Sequence, residues 1–591
     1  MIEKNYTRQN FGGKTRQMAK KLYKADFKDK LPLGGIGTGH IDLAKDGRIS
    51  ADFLSLFAVK AEKDGGLFDA RMLEGMGGTG SPLPCFEKAS AKSFFPFSEI
   101  CFSDSSFPAD VKMTAFSPFI PLSDTDSGIP AVMFDFTLTN KFDTRIEYSI
   151  CASLRNEIEG GFNRMGCTDT GEAYIFLSEN AEHPQNICIA TSGKNISFCE
   201  YSSSLSDVID NFTKEATLTN KTKFECENTL PFGALATHFS LEAGETKTVC
   251  FCISWYKPEN EFSRNYYAQY FESALECASY FFRQKGRLFA GSMEFCENVL
   301  GATLTEGVLS EINDDLFSLI NDGSLRLSDG TLKSVKKQQF CDMDSFLSVS
   351  SPIANLFPSL EYSEVLSFYK NGLYEKAPDS ELALAILRSY RKYILSADVD
   401  ALIEDWYYIV KCSERLFGEN MDITPRIGSD IQAAVVEALS VMSEAVKDKK
   451  RHGMYPRVLE NLPLCQFSMC IAKGYARLSE LSGFTYSAVD RHIGFNPSSD
   501  SCPLDVGGTF RCFFCTPKGF GYVEEGIDYI EINLLSGKLD IRSFSVPRTP
   551  RLVQYGGRNW RFENRNLVVH LDSDLEVTPH KKLTIFIDIK Q

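Results

Sequence analysis

The sequence lacks a run of eighteen apolar residues anywhere in its 591, so no transmembrane helix is expected. It also lacks an excess of positive charge. Lys and Arg number 63 against 78 Asp and Glu, a formal net charge of −15. A nucleic-acid backbone needs a basic surface, and anionic lipid does too, so both are excluded as partners. The start, Met1-Ile2-Glu3-Lys4-Asn5-Tyr6-Thr7, is polar, and no apolar stretch follows that would mark a secretory signal. A cytoplasmic location is the expectation. The 18 Cys form no repeating framework, which suits reduced thiols. Cys512-Phe513-Phe514-Cys515 has no second pair at zinc spacing and reads as packing. The seven His are dispersed, with none at i, i+4 and no arguable Ser-His-Asp set. No metal and no cofactor is expected.

Hydrophobic residues make up 43% and charged residues 24%, a globular balance with enough length for two to four domains. Phe is abundant at 46 residues, and most of it should pack the core. Residues 31 to about 255 alternate with a strand period, clearest at 131–140 and 246–255, and turn-rich clusters separate the runs. This predicts a large β-sandwich. The period becomes helical near 262, with helices expected over 289–303, 307–320, 352–373, 380–394, 398–416, 428–447 and 461–482, and a stop at Gly483. From about 484 the pattern is again β, as in Tyr529–Leu534 and Leu583–Ile587. The expected division is 1–260 as N-terminal β-sandwich, 261–483 as linker helix and shortened helical domain, and 484–591 as C-terminal β-module.

The densest local signal is Leu31-Pro32-Leu33-Gly34-Gly35-Ile36-Gly37-Thr38-Gly39-His40. Its glycines permit positive φ and close backbone approach. No Lys-Ser or Lys-Thr follows, so a phosphate loop is excluded. A tight turn in the β-region is the local reading, and a loop aimed at a neighbouring domain's pocket is the functional one. His40 beside it is a candidate ligand-binding residue.

This peptide resembles the N-terminal signature of glycoside hydrolase family 116, the bile-acid β-glucosidase and glucosylceramidase-like family. Asp52–Phe57, Phe95–Ile100, Phe116–Leu122 with Ser127–Phe134, Trp255–Asn260, Asn265–Tyr267 and Leu356–Glu361 follow in the family's order. The resemblance implies a β-sandwich docked on an (α/α)6 toroid. It also implies retaining hydrolysis of β-glycosides by two carboxylates about 5–5.5 Å apart. In the family the nucleophile is a Glu in a Gly-x-Leu-Glu-like turn, eleven residues before a sugar-binding Asp. Counted back from Leu356–Glu361, that Asp matches Asp344, and the nucleophile position falls on Lys333 in Gly330-Thr331-Leu332-Lys333. No Glu lies between Glu311 and Glu361 to replace it. An ammonium offers no lone pair for attack and has the wrong sign for an oxocarbenium-like state. The family's Asp-Gln-x-x-Gly-Gln-like acid/base segment has no counterpart, and about 195 residues are too few for twelve helices with long loops. The toroid is expected to be incomplete.

Remaining acidic candidates are Asp344, Asp342, Glu404 and Asp430, with Asp405 beside Glu404 and Asp329 near the turn. Asp344, Trp406 and His40 are the candidates for holding sugar. The local alternatives are a helix with one wet and one aromatic face around Glu404–Tyr408, and a helix start at Gly428-Ser429-Asp430. The expected partner is a carbohydrate or glycoside. Two functions stand: a carbohydrate-binding or scaffolding protein without the family's retaining β-glucosidase mechanism, and a β-glycoside-active hydrolase with a rebuilt acidic site. Apolar helix faces exposed by a broken toroid would need cover, which predicts a homo-oligomer.

Overall fold

The computed structural model describes residues 22–589 apart from 27–28, 51–54, 77–81, 159–160, 169–170, 178–183, 222–229, 261–262, 322–323, 335–354, 419–428, 451–477, 479–480 and 498–507. The expected helix at 461–482, and Asp342 and Asp344, therefore lie almost wholly or wholly outside the described residues.

The chain is a β-sandwich, then helices, then further β-sheets. A short sheet opens it, where β1 (Lys30–Leu33) pairs antiparallel with β2 (Ile41–Ala44) around the glycine turn. The sandwich is an eight-stranded sheet facing a six-stranded one. In the first, β3 (Ala131–Asn140) lies between the strand Ala109–Phe116 and β4 (Thr246–Tyr256). In the second, the strand Ile146–Arg155 lies between Phe232–Leu241 and Ser55–Lys63. Alternation puts Phe134, Phe136 and Phe251 on one inner face, where their rings meet Phe57 from the other sheet at 5.2, 4.8 and 5.6 Å. The alternating pattern thus corresponds to a buried face. One element was not legible: α1 (Leu205–Lys214), capped by Ser204, is a helix inside the strand-like region, and its Val208, Ile209 and Phe212 cover the outside of the six-stranded sheet.

The period change near 262 corresponds first to a 3-10 turn, Tyr266–Gln269, and then to α2 (Ala274–Leu300). This one long helix joins the helical stripe expected from Tyr266 through Phe282 to the segment expected at 289–303. Its start is set by Ser273, whose hydroxyl accepts from the Glu276 N–H at 3.2 Å. There follow α3 (Glu306–Asn321), α4 (Pro358–Lys370), α5 (Asp379–Ser396), α6 (Val399–Phe417) and α7 (Ser429–Lys450). The helices α4 to α7 share their own core, built on Tyr369, Leu382, Ile386, Ile409, Leu416, Val435 and Leu439. Gly483 has φ +56° and ends the helical region. The helical region also holds a hairpin that periodicity missed, β5 (Ser324–Arg326) with β6 (Leu332–Ser334).

The last hundred residues form a five-stranded and a six-stranded sheet. They dock on α2, where Phe513 packs edge-on against Phe295 at 5.4 Å and the Thr303 N–H donates to the Arg511 carbonyl at 2.9 Å. Cys512 and Cys515 are buried in the strand Phe510–Thr516 and form no disulfide. Among the described residues, no helix is long and apolar enough to cross a membrane.

Candidate functional site at the glycine turn

The glycine turn is where the sandwich meets the helical region. Gly35 has no room for a side chain: a Cβ would lie 2.6 Å from the Ile129 carbonyl oxygen. Gly37 and Gly39 have φ +69° and +81°, which favours glycine. The turn presents its carbonyls outward. Gly37 accepts from the Arg326 N–H of β5 at 2.8 Å, and Thr38 accepts from the indole N–H of Trp255, on β4, at 2.8 Å. The glycines therefore make the tight turn that was expected, and its carbonyls bond to β5 and to Trp255.

Arg326 is the centre of this junction. Its side chain is 5% exposed, its guanidinium carbon lies 3.4 Å from the Tyr266 ring centroid, and it donates to Asp124 at 2.7 Å. The same Asp124 oxygen accepts from the Ser359 hydroxyl at 2.8 Å, tying in the first turn of α4. The Tyr266 and Tyr270 hydroxyls are 2.9 Å apart, and Tyr270 is exposed. Burial, then the Tyr270 hydroxyl, push the Tyr266 phenol up to about 12, so it remains neutral. Two residues on, Asp126 accepts from both ends of the Arg287 guanidinium at 2.7 and 2.9 Å and from the Tyr280 hydroxyl at 2.9 Å. Burial alone would raise the Asp126 pKa, but Arg287, Ser123 and Tyr280 hold it below the usual carboxylate range. The loop Ser123–Ser127 thus carries two ion-paired carboxylates that bind the sandwich to α2, α4 and β5. A narrow cavity behind the turn, between Leu33, Phe95, Phe119, Phe317 and Ile320, is apolar.

Lys333 lies on β6 directly opposite Leu325, one residue from Arg326 on the facing strand. His40 is partly exposed, with Nε2 3.6 Å from Asp42. Glu404 is exposed on α6, whereas Asp405 is buried and accepts from Lys392 at 2.7 Å. Trp406 packs partly buried against the helical core, and Tyr408 stacks on Tyr369 at 5.4 Å. Asp430 is the second residue of α7. The structure therefore sets His40 and Lys333 near one junction and places Glu404, Trp406 and Asp430 on α6 and α7. Sequence reasoning missed Arg326, Asp124 and Ser359. Their partners lie about two hundred positions away in the chain, so spacing carries no signal for them.

Residues 31–288 match the N-terminal domain of glycosyl-hydrolase family 116, described as beta-glucosidase 2. That stretch contains the glycine turn, the Ser123–Ser127 loop, Trp255 and Tyr266, so one side of the junction lies within the matched residues. No curated protein matches the chain. Among solved structures, one described as a kojibiose phosphorylase from human microbiome is 8% identical, with a TM-score of 0.42 over 94% of this chain and 92% of that one. The family GH92 alpha-mannosidase from Bacteroides thetaiotaomicron is 9% identical, with a TM-score of 0.24 over 71% of this chain and 61% of its own.

Proposed function

We propose that this chain binds a carbohydrate or glycoside at the junction of the glycine turn and the helical region, without the retaining β-glucosidase mechanism. The carrying observation is Lys333 on β6, at the position matched to the family's nucleophile and opposite Leu325 of β5. A lysine at that position opposes an oxocarbenium-like transition state and supplies no nucleophilic carboxylate, while Arg326 is already neutralised by Asp124. Binding is supported by exposed Tyr270, an aromatic ring of the kind that suits sugar stacking. Asp344 and His40 are the proposed polar contacts; Trp406, packed against the separate core of α4 to α7, is not part of this junction. The division at about 260 and 483, a cytoplasmic location and a homo-oligomer belong to the same reading.

A mechanism-based covalent β-glucoside probe followed by peptide mapping tests this. No carboxylate should be labelled, aryl β-glycosides should not turn over, and β-glucosides should alter Trp255 fluorescence. A labelled Asp342, Asp344, Glu404 or Asp430 would overturn it in favour of a hydrolase with a rebuilt acidic site.

A further inference from the structure

Away from the glycine turn, the outer face of the eight-stranded sheet carries a thiol, an amine and a carboxylate in mutual contact. Asp135 on β3 and Cys250 on β4 are directly opposed across the ladder. Lys285 on α2 reaches down to both. Its Nζ lies 2.7 Å from the Cys250 Sγ, and 2.7 and 2.9 Å from the two Asp135 oxygens. The trio sits where the helix leaves the sheet. Toward one end the helix covers Met133 and Cys252, which are buried, and toward the other Thr137 and Thr248 pair in the open. Cys188, Cys252 and Cys277 on the covered side are buried, while Cys250 and Lys285 are partly open to solvent.

We propose that Cys250 and Lys285 are an oxidative cross-linking site, joined by one oxygen atom between sulfur and nitrogen when the protein meets peroxide. A single bridging oxygen spans a sulfur–nitrogen gap of this size with little movement, whereas a direct sulfur–nitrogen bond would require the helix and sheet to close by about an ångström. The steps balance. One peroxide oxidises the thiol to the sulfenic acid and leaves as water. The ammonium releases its proton to solvent, and a second peroxide oxidises the amine to the hydroxylamine and leaves as water. The hydroxylamine oxygen then attacks the sulfenic sulfur and expels a third water. Thiol, amine and two peroxides thus give the bridge and three waters. The bridge would lock α2, which also supports the C-terminal sheets, onto β4, and a thiol reductant would reopen it.

The test is peroxide treatment of the full chain, with non-reducing digestion and mass spectrometry. The expected product is a Cys250–Lys285 linked peptide with one oxygen gained and two hydrogens lost, abolished by dithiothreitol. Lys285→Arg keeps the ion pair with Asp135 but has no primary amine; it should lose the linked peptide and carry Cys250 on to the sulfinic acid. Cys250→Ser should lose it while exposed Cys101 and Cys167 still oxidise. Wild-type protein in which Cys250 yields only oxyacids, a disulfide or a direct sulfur–nitrogen bond would overturn the proposal.

Discussion

Arg326 and Tyr266 are stacked, guanidinium carbon to ring centroid at 3.4 Å, and this contact joins the helical region's hairpin to the end of the sandwich. The cation is held from the other side by Asp124. Replacing Arg326 by Met should cost about 2–3 kcal/mol in urea denaturation, less than for a fully buried pair because Asp124 is partly wet. Arg326→Lys should recover only part of it, since an ammonium cannot stack as a plane. Equal stability of Met and wild-type proteins would show that the junction is held by backbone contacts alone.

Glu361, buried at the start of α4, accepts from Arg388 at 2.8 and 2.5 Å and from Arg391. Burial raises its pKa, but the two arginines outweigh it and hold the carboxyl at about 2. This is a depressed acid, so its stabilisation is present above the ordinary value of about 4.3 and is lost as pH falls toward 2. Glu361→Gln should destabilise the helical region by about 3–5 kcal/mol at pH 7 and flatten its acid unfolding between those values. Circular dichroism at 222 nm against pH reads this out.

His238 is placed between two hydroxyls, with Ser149 at 2.7 Å from Nδ1 and Ser197 at 2.7 Å from Nε2. Burial, then the Lys60 ammonium, lower its pKa to about 4. Between the ordinary value of about 6.5 and that figure, the unfolded chain takes the proton first, so stability falls as the solution is acidified. The loss should be about 1–2 kcal/mol at pH 5, reduced by solvent screening because the ring is partly exposed. His238→Gln should be pH-independent over that window in urea titrations.

Two glycines should respond oppositely to alanine. Gly35→Ala drives a methyl into the Ile129 carbonyl and should cost about 2–4 kcal/mol. Gly286 lies inside α2 with open space around its Cβ position, so Gly286→Ala should stabilise by about 0.5–1 kcal/mol. Thermal unfolding midpoints moving the same way would contradict the packing described here.

Strand alternation at 131–140 and 246–255 was legible because one face of each strand is buried against Phe57 and its neighbours. The helical stretches were legible for the same reason, at their own period. The helical stripe was read from Tyr266, eight residues before α2 begins, because the 3-10 turn at Tyr266–Gln269 carries apolar residues at helical spacing without being the helix. The β5–β6 hairpin was missed because three-residue strands show no period. The glycine turn was conspicuous in sequence, yet Gly35 could be explained only once Ile129 was seen against it.

The sequence alone determined the order sandwich, helices, sheets, the acidic charge, the match to a glycoside hydrolase N-terminal domain and the presence of Lys333 where a carboxylate is expected. The order and the charge follow from composition and periodicity along the chain; the match and the place of Lys333 are what the resemblance to the family implies. Tertiary structure alone decided that Arg326 meets Asp124 and Tyr266, that Asp405 faces inward to Lys392, and that Lys285 touches Cys250. Such pairs form when distant elements pack, and the low-dielectric contact that gives them their chemistry exists only after the chain has folded.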